Sequence, residues 1–286
     1  MLEIIKAILF GIVEGITEWL PVSSTGHMIL LNEFVSFSSD KVREGFFEMF
    51  DVVIQLGAIM AVVILFWNKI FPFYFGKKAE EKGFVVRKNI FVLWFKIIVS
   101  CLPAVVVGLL FDDWVEEHLH NGIVVAIMLI LVGVVFILAE NIHRDKEYRV
   151  NKMKELTYKD ALIIGLFQVI AAVLPGTSRS GATIIGALLI GVARPVAAEY
   201  TFYLAIPVMF GASLLKVVKF GFPLTGIEIA VLLTGMVVAF LVSFVVIGFF
   251  MNYIKKHDFK VFGYYRIVLG AIVLIYFIVK HFAAVS

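Results

Sequence analysis

Six apolar runs, near 47–67, 90–111, 122–139, 196–219, 227–251 and 262–280, constrain this chain more than any other feature. Each is long enough for one α-helix to cross a bilayer, which takes about 20 residues. In hydrocarbon only helices and closed barrels satisfy their own backbone, so runs of this length predict an all-α polytopic membrane protein. Composition agrees, with 62% of the 286 residues hydrophobic against roughly 45–50% in soluble domains. The formal charge of +3 is too small to suggest a nucleic-acid partner. Cys101, the one cysteine, lies in an apolar run. It excludes an intrachain disulfide and a cysteine-based zinc site, and reads as a buried thiol. The first residues do not resemble a cleaved signal peptide, because Glu3 precedes Lys6 and because Glu14 and Glu18 interrupt the apolar stretch.

Two further apolar regions are broken by polar turns. Residues 3–31 are interrupted by Pro21 and its serines, and 161–192 by Pro175-Gly176 and its hydroxyls. Each reads as two short helices around a turn, a length that suits a re-entrant pair better than a full span. Ten ordinary crossings are the alternative. The connection at 68–89 carries Lys69, Lys77, Lys78, Lys82, Arg87 and Lys88 against Glu80 and Glu81. The connection at 140–160 and the residues Lys255, Lys256 and Lys260 are also basic, whereas 112–121 carries Asp112, Asp113, Glu116 and Glu117 without Lys or Arg. Basic loops stay cytoplasmic, so both termini are expected outside, and the charge pattern is the same for either crossing number.

The two broken regions are related. GIVEGITEWLPVSS (11–24) aligns without gaps on GLFQVIAAVLPGTS (165–178), sharing the first Gly, Leu-Pro and the last Ser, after which the halves diverge by one residue. Each half, 1–140 and 157–286, then holds a broken pair and three spans. An odd number of spans turns the second half upside down, giving a single membrane domain built as an inverted-topology repeat, a plan in which discontinuous helices meet near the midplane and form the site.

The polar residues of these turns are expensive in a membrane unless they are used. Glu14 and Glu18, at i and i+4, share one helix face and suit a hard divalent cation, Mg²⁺ or Ca²⁺. Ser23-Ser24-Thr25-Gly26 opens a second short helix, whose free N–H groups bind anions such as phosphate. His27 is a candidate acid or base for a neighbouring hydroxyl. In the second half, Gly176, Thr177, Ser178, Ser180 and Thr183 offer further donors, and the planar fork of Arg179 matches phosphate oxygens. Arg179 also reads as an ion-pair partner for Glu14 or Glu18. Gln55 is placed to line the cavity or to bond across helices, while Glu48 and Glu199 read as interfacial. The combination suits binding and cleaving a phosphate ester or diphosphate at the membrane.

EGITEWLPVSSTGH (14–27) and PGTSRSGAT (175–183) resemble the two signatures of the undecaprenyl-pyrophosphate phosphatase, or bacitracin-resistance, family, and FDVVIQLG (50–57) is similar to a third. The similarity covers essentially the whole chain. The family's acids, serine, histidine and arginine fall on Glu14, Glu18, Ser24, His27 and Arg179. The resemblance implies removal of phosphate from the C55 polyprenyl diphosphate, regenerating the lipid carrier of bacterial wall synthesis. It also implies a divalent-metal requirement, an interdigitated inverted-repeat fold and a site open to the outer face of the plasma membrane. The sequence does not fix the oligomeric state and allows a homodimer. Acid-phosphatase-like lipid phosphatases share an S-R motif but need a later histidine, which Ser-Gly-Ala-Thr-Ile-Ile (180–185) lacks.

On this reading Ser24 is the nucleophile, His27 accepts its proton and later activates water, Glu14 and Glu18 hold the metal, and Arg179 stabilises the transferring phosphoryl group. Attack by His27 or by water directly is left open. The alternative class is an inverted-repeat lipid flippase or ion-coupled transporter using the same midplane residues, which needs no serine–histidine pair.

Overall fold

A computed structural model describes residues 1–74, 85–119, 121–143 and 147–285, without the side chains of Tyr74, Val85, Asp112, Asp113, Glu116, Ala284 and Val285. The expected charges at Lys77, Lys78, Glu80, Glu81 and Lys82 lie outside the described residues, as do the side chains of Asp112, Asp113 and Glu116.

The first broken region folds as α1 (Leu2–Thr17) and α2 (Ser24–Val35), and the second as α8 (Tyr158–Val173) and α9 (Arg179–Leu189). Proline lacks the amide proton that continues a helix, and one stands in each break, Pro21 and Pro175. Six long apolar helical segments follow the expected spans. The first is α3 (Phe46–Val53) and α4 (Gln55–Leu65), interrupted at Ile54; the next two are α6 (Lys88–His118) and α7 (Gly122–Ile142). The last three are α10 (Arg194–Phe220), α11 (Gly226–Tyr253) and α12 (Lys260–Val285). Between α4 and α6 lie the single turn α5 (Trp67–Ile70) and a two-residue antiparallel ladder, β1 (Phe73–Tyr74) with β2 (Val85–Val86), which spacing did not foreshadow. The fold is therefore all-α apart from that ladder, and polytopic.

Polar caps fix the helix starts. Asn121 accepts from the Val124 amide at 3.0 Å. Thr157 with Asp160, and Thr225 with Glu228, form reciprocal capping boxes. The basic connections gather at one end. Lys69, Arg87, Lys96, Lys152 and Lys154 line one cavity of about 700 Å³ there with Glu199. At that end Glu140, fully enclosed, receives Arg194 and the Phe259 amide, joining α7, α10 and the α11–α12 connection. Cys101 is buried in α6 as a free thiol.

Packing is crossed between the halves. α1 lies along α11, and α8 lies along α6, so the first helix of each broken pair rests on the second long span of the other half. Glycines permit both approaches. A Cβ on Gly11 would meet the Gly235 carbonyl at 2.7 Å, and one on Gly165, its partner in the alignment, would meet the Ser100 carbonyl at 2.3 Å. α7 pairs with α12, and α4 is pressed onto α11 with Gly57 facing backbone, its would-be Cβ 2.0 Å from the Met236 oxygen. Gly57→Ala should therefore separate α4 from α11 at a cost of about 1–3 kcal/mol. Gly248→Ala, where nothing lies within 4 Å, should leave stability unchanged or slightly raised. Thermal unfolding of both variants in detergent reads the difference.

Candidate active site

The two turns meet. Each short second helix starts from a serine with positive φ, Ser23 at 72° and Ser178 at 71°. Each of these serines uses its hydroxyl to accept from the amide three residues on, Gly26 at 3.4 Å and Gly181 at 3.2 Å. This corrects the alignment, in which Ser24 stood opposite Ser178. The extra residue enters earlier, within Pro175-Gly176-Thr177. Gly176 needs its freedom there, with φ of 89° and a would-be Cβ 2.7 Å from the Val125 carbonyl of α7. In the corrected register, Ser24 and Arg179 occupy the same position, the first residue of each helix.

Those two residues converge on one carboxylate. The Ser24 hydroxyl donates to Glu18 Oε2 at 2.6 Å, and Arg179 Nη2 donates to Glu18 Oε1 at 2.9 Å. Arg179 Nη1 donates to the Thr201 carbonyl of α10 at 2.8 Å, while its Nε is buried and finds no partner among the described residues. Thr183 shares a 2.9 Å hydroxyl contact with Thr201. Ser180 reaches back to the first turn, donating to the Glu18 carbonyl at 3.3 Å, and meets the Ser178 hydroxyl at 3.0 Å.

His27 stands beside this cluster. Its Nδ1 bonds the Ser23 carbonyl at 2.7 Å and its Nε2 the Tyr265 hydroxyl at 2.7 Å. The Ser24 hydroxyl thus lies on Glu18 and not on His27. Thr25 and Gln55 add no side-chain hydrogen bond to the network among the described residues. Gln55 starts α4, one turn beyond Asp51.

Glu14 shares the α1 face of Glu18 and is fully buried, yet neither of its carboxylate oxygens has a partner among the described residues. An unpaired carboxylate is costly in such a place, and oxygen donors of this kind fit a hard cation. Both Glu18 oxygens are engaged, by Arg179 and Ser24. Asp51 of α3 lies close enough to interact electrostatically with both glutamates.

The sequence reading missed Asp51, Thr201, Tyr265 and Arg266. Arg266 is wholly buried in α12 and donates to the carbonyls of Pro21 at 3.3 Å, Gly176 at 2.7 Å and Thr177 at 3.0 Å. One signal was available, an arginine inside the last apolar run, where a charge is rare unless used.

A family model, bacitracin resistance protein BacA, matches residues 7–272. A curated undecaprenyl-diphosphatase of Enterococcus faecalis is 57% identical over 274 residues, covering 96% of this chain and 97% of its own. Those of Desulfitobacterium hafniense and Acetivibrio thermocellus are 59% and 58% identical, covering 97% of this chain and 97% and 99% of theirs. Similarity this close, with a family match that runs through both turns and into the last span, makes the chain a member of the bacitracin resistance protein BacA family.

Proposed function

We infer that this chain is an integral membrane undecaprenyl-diphosphatase. It hydrolyses undecaprenyl diphosphate to undecaprenyl phosphate and inorganic phosphate, recycles the lipid carrier of bacterial cell-wall synthesis and confers bacitracin resistance. The observation that carries this is near-full-length identity to relatives of that name. Its physical counterpart is a serine, a carboxylate and an arginine in direct contact at the meeting of two broken helices.

Ser24 Oγ attacks the terminal phosphorus and passes its proton to Glu18 Oε2, already its acceptor. The bond from that phosphorus to the bridging oxygen breaks, and undecaprenyl phosphate leaves with the electron pair. Arg179 moves from Glu18 to the phosphoryl oxygens and stabilises the charge that develops there. Water then attacks the phosphoserine, losing a proton to His27, and the departing Ser24 oxygen recovers its own from Glu18. Ser24 is favoured over His27 as nucleophile because both imidazole nitrogens are already bonded, to Ser23 and Tyr265. Glu14, with the Glu18 oxygen that Arg179 vacates, would hold Mg²⁺ or Ca²⁺, and the ion would neutralise charge on the diphosphate oxygens. Ser23, Thr25, Gly26, Gln55, Gly176, Thr177, Ser178, Ser180 and Thr183 form the surrounding substrate cradle.

In this reading α1–α2 and α8–α9 are re-entrant pairs, and 1–140 and 157–286 are inverted repeats. Both termini lie outside, the site opens to the outer face, and a homodimer is the proposed assembly. The crossed packing of α1 on α11 and of α8 on α6 supports the repeat. The cavity that the basic residues share supports the orientation.

Four outcomes are expected. Ser24→Ala should lower phosphate release from a polyprenyl diphosphate in detergent by at least about 100-fold, and a loss of only a few-fold would remove Ser24 as nucleophile. EDTA should abolish turnover, and Glu14→Gln should raise the Mg²⁺ needed for half-maximal rate at least about tenfold. In a Cys101→Ser background, an impermeant maleimide on intact cells should label Glu117→Cys and spare Lys256→Cys; the reverse pattern would invert the topology.

A further inference from the structure

Two consecutive residues of α12 reach the site in different ways. Arg266 is enclosed and holds turn carbonyls, whereas Tyr265 is 46% exposed and covers His27 from the side. The tyrosine and imidazole rings lie parallel, within 5°, with centroids 5.6 Å apart. The Tyr265 hydroxyl is 2.7 Å from Nε2, and the Ser23 carbonyl is 2.7 Å from Nδ1.

These partners are chemically unequal. A carbonyl only accepts, so Nδ1 carries a proton whether the ring is neutral or charged. In the neutral ring Nε2 therefore presents a lone pair, which the tyrosine O–H fills. When the ring gains a proton it gains it at Nε2, and that nitrogen becomes a donor. A hydroxyl serves both states, since it donates to the lone pair and, after turning about its C–O bond, accepts from the new N–H. An amide N–H, an ammonium or a second carbonyl would serve one state and oppose the other.

We propose that Tyr265 holds His27 in one orientation through both halves of its proton cycle and relays the proton between the ring and the attacking water. Its hydroxyl, seated on the one lone pair of Nε2, takes the water's proton as it hands its own to that nitrogen, and the ring does not swing out of the site. Tyr265 touches His27 and the water, without contacting the phosphate. The proposal rests on the phosphatase reading for its kinetic consequence and on geometry alone for the contact.

Tyr265→Phe keeps the ring and removes the hydroxyl. Phosphate release from a polyprenyl diphosphate with Mg²⁺ should show kcat lowered about 10- to 100-fold, the scale of a misplaced catalytic group, with KM within about twofold and unfolding temperature unchanged. Nitrogen NMR of ¹⁵N-histidine protein, assigned with His27→Asn, should show a neutral wild-type ring protonated at Nδ1. The variant should show the Nε2 signal moved toward that of an unbonded lone pair. Unchanged kcat in Tyr265→Phe, or a wild-type ring protonated at Nε2, would overturn the proposal. A loss in KM alone, or a fall in kcat that tracks lost unfolding temperature, would do the same. Wild-type turnover tests the phosphatase reading separately, since the ring spectrum needs no turnover; if the variant does not fold, the wild-type spectrum decides.

Discussion

The guanidinium of Arg266 is the interaction on which the site depends. Two turns of non-helical backbone lie among the helices, and their carbonyls have no helical partners. Arg266 donates to three of them, Pro21 in the first turn and Gly176 and Thr177 in the second. Each side of this arrangement would be untenable alone. A wholly buried arginine without acceptors, or buried carbonyls without donors, costs several kcal/mol. Together they fix the separation of two turns that are more than 150 residues apart in the chain. Glycine makes the contact possible at two points, Gly176 by its backbone and Gly181 by its missing side chain, whose place would lie 3.3 Å from Arg266 Nη1.

With the turns so held, the proposed repeat explains how one site uses two unlike halves. The local frame is the same on both sides, a positive-φ serine cap followed by a short helix, and the residues hung on it differ. Ser24 is answered by Arg179, His27 by Ala182 and Met28 by Thr183. In the preceding helices, Gln168 answers Glu14 and Ala172 answers Glu18. One half carries the acids and the candidate nucleophile, and the other carries the cation and the hydroxyls. Gln168 is buried with its side-chain amide unpartnered among the described residues, like the Glu14 carboxylate, but it carries no charge.

The spans, both helix breaks, the Glu14–Glu18 face and a possible Glu18–Arg179 pair were legible in the sequence because each follows from local spacing or from the cost of charge in lipid. What was not legible depends on which helices approach. Arg266 and Tyr265 sit in a last span that reads as ordinary membrane helix, and only the fold brings them against turns at 21–27 and 176–177. Asp51 lies in the same FDVVIQLG segment as Gln55, but a single helix face does not reveal what it meets. The one-residue error in register has a similar origin. Identity at Leu-Pro and Ser favoured a gapless match, whereas the backbone equates residues by their φ angle and cap.

The resting arrangement also bears on when the proposed chemistry begins. Glu18 is divided between Arg179 and Ser24 at 2.9 and 2.6 Å. While the guanidinium holds one oxygen, it is not available to a transferring phosphoryl group. The serine is positioned, and the cation that would assist its attack is held on the carboxylate. A diphosphate competes for the same guanidinium with more charge and more oxygens than one carboxylate offers. As Arg179 transfers to the phosphoryl group, one Glu18 oxygen is freed while the other is still hydrogen-bonded to the serine. Recognition and assembly of the site are then one event, because the guanidinium that binds phosphate is the one that had been held by the carboxylate. Water offers no comparable pull on Arg179, so the ion pair with Glu18 is the arrangement expected without substrate.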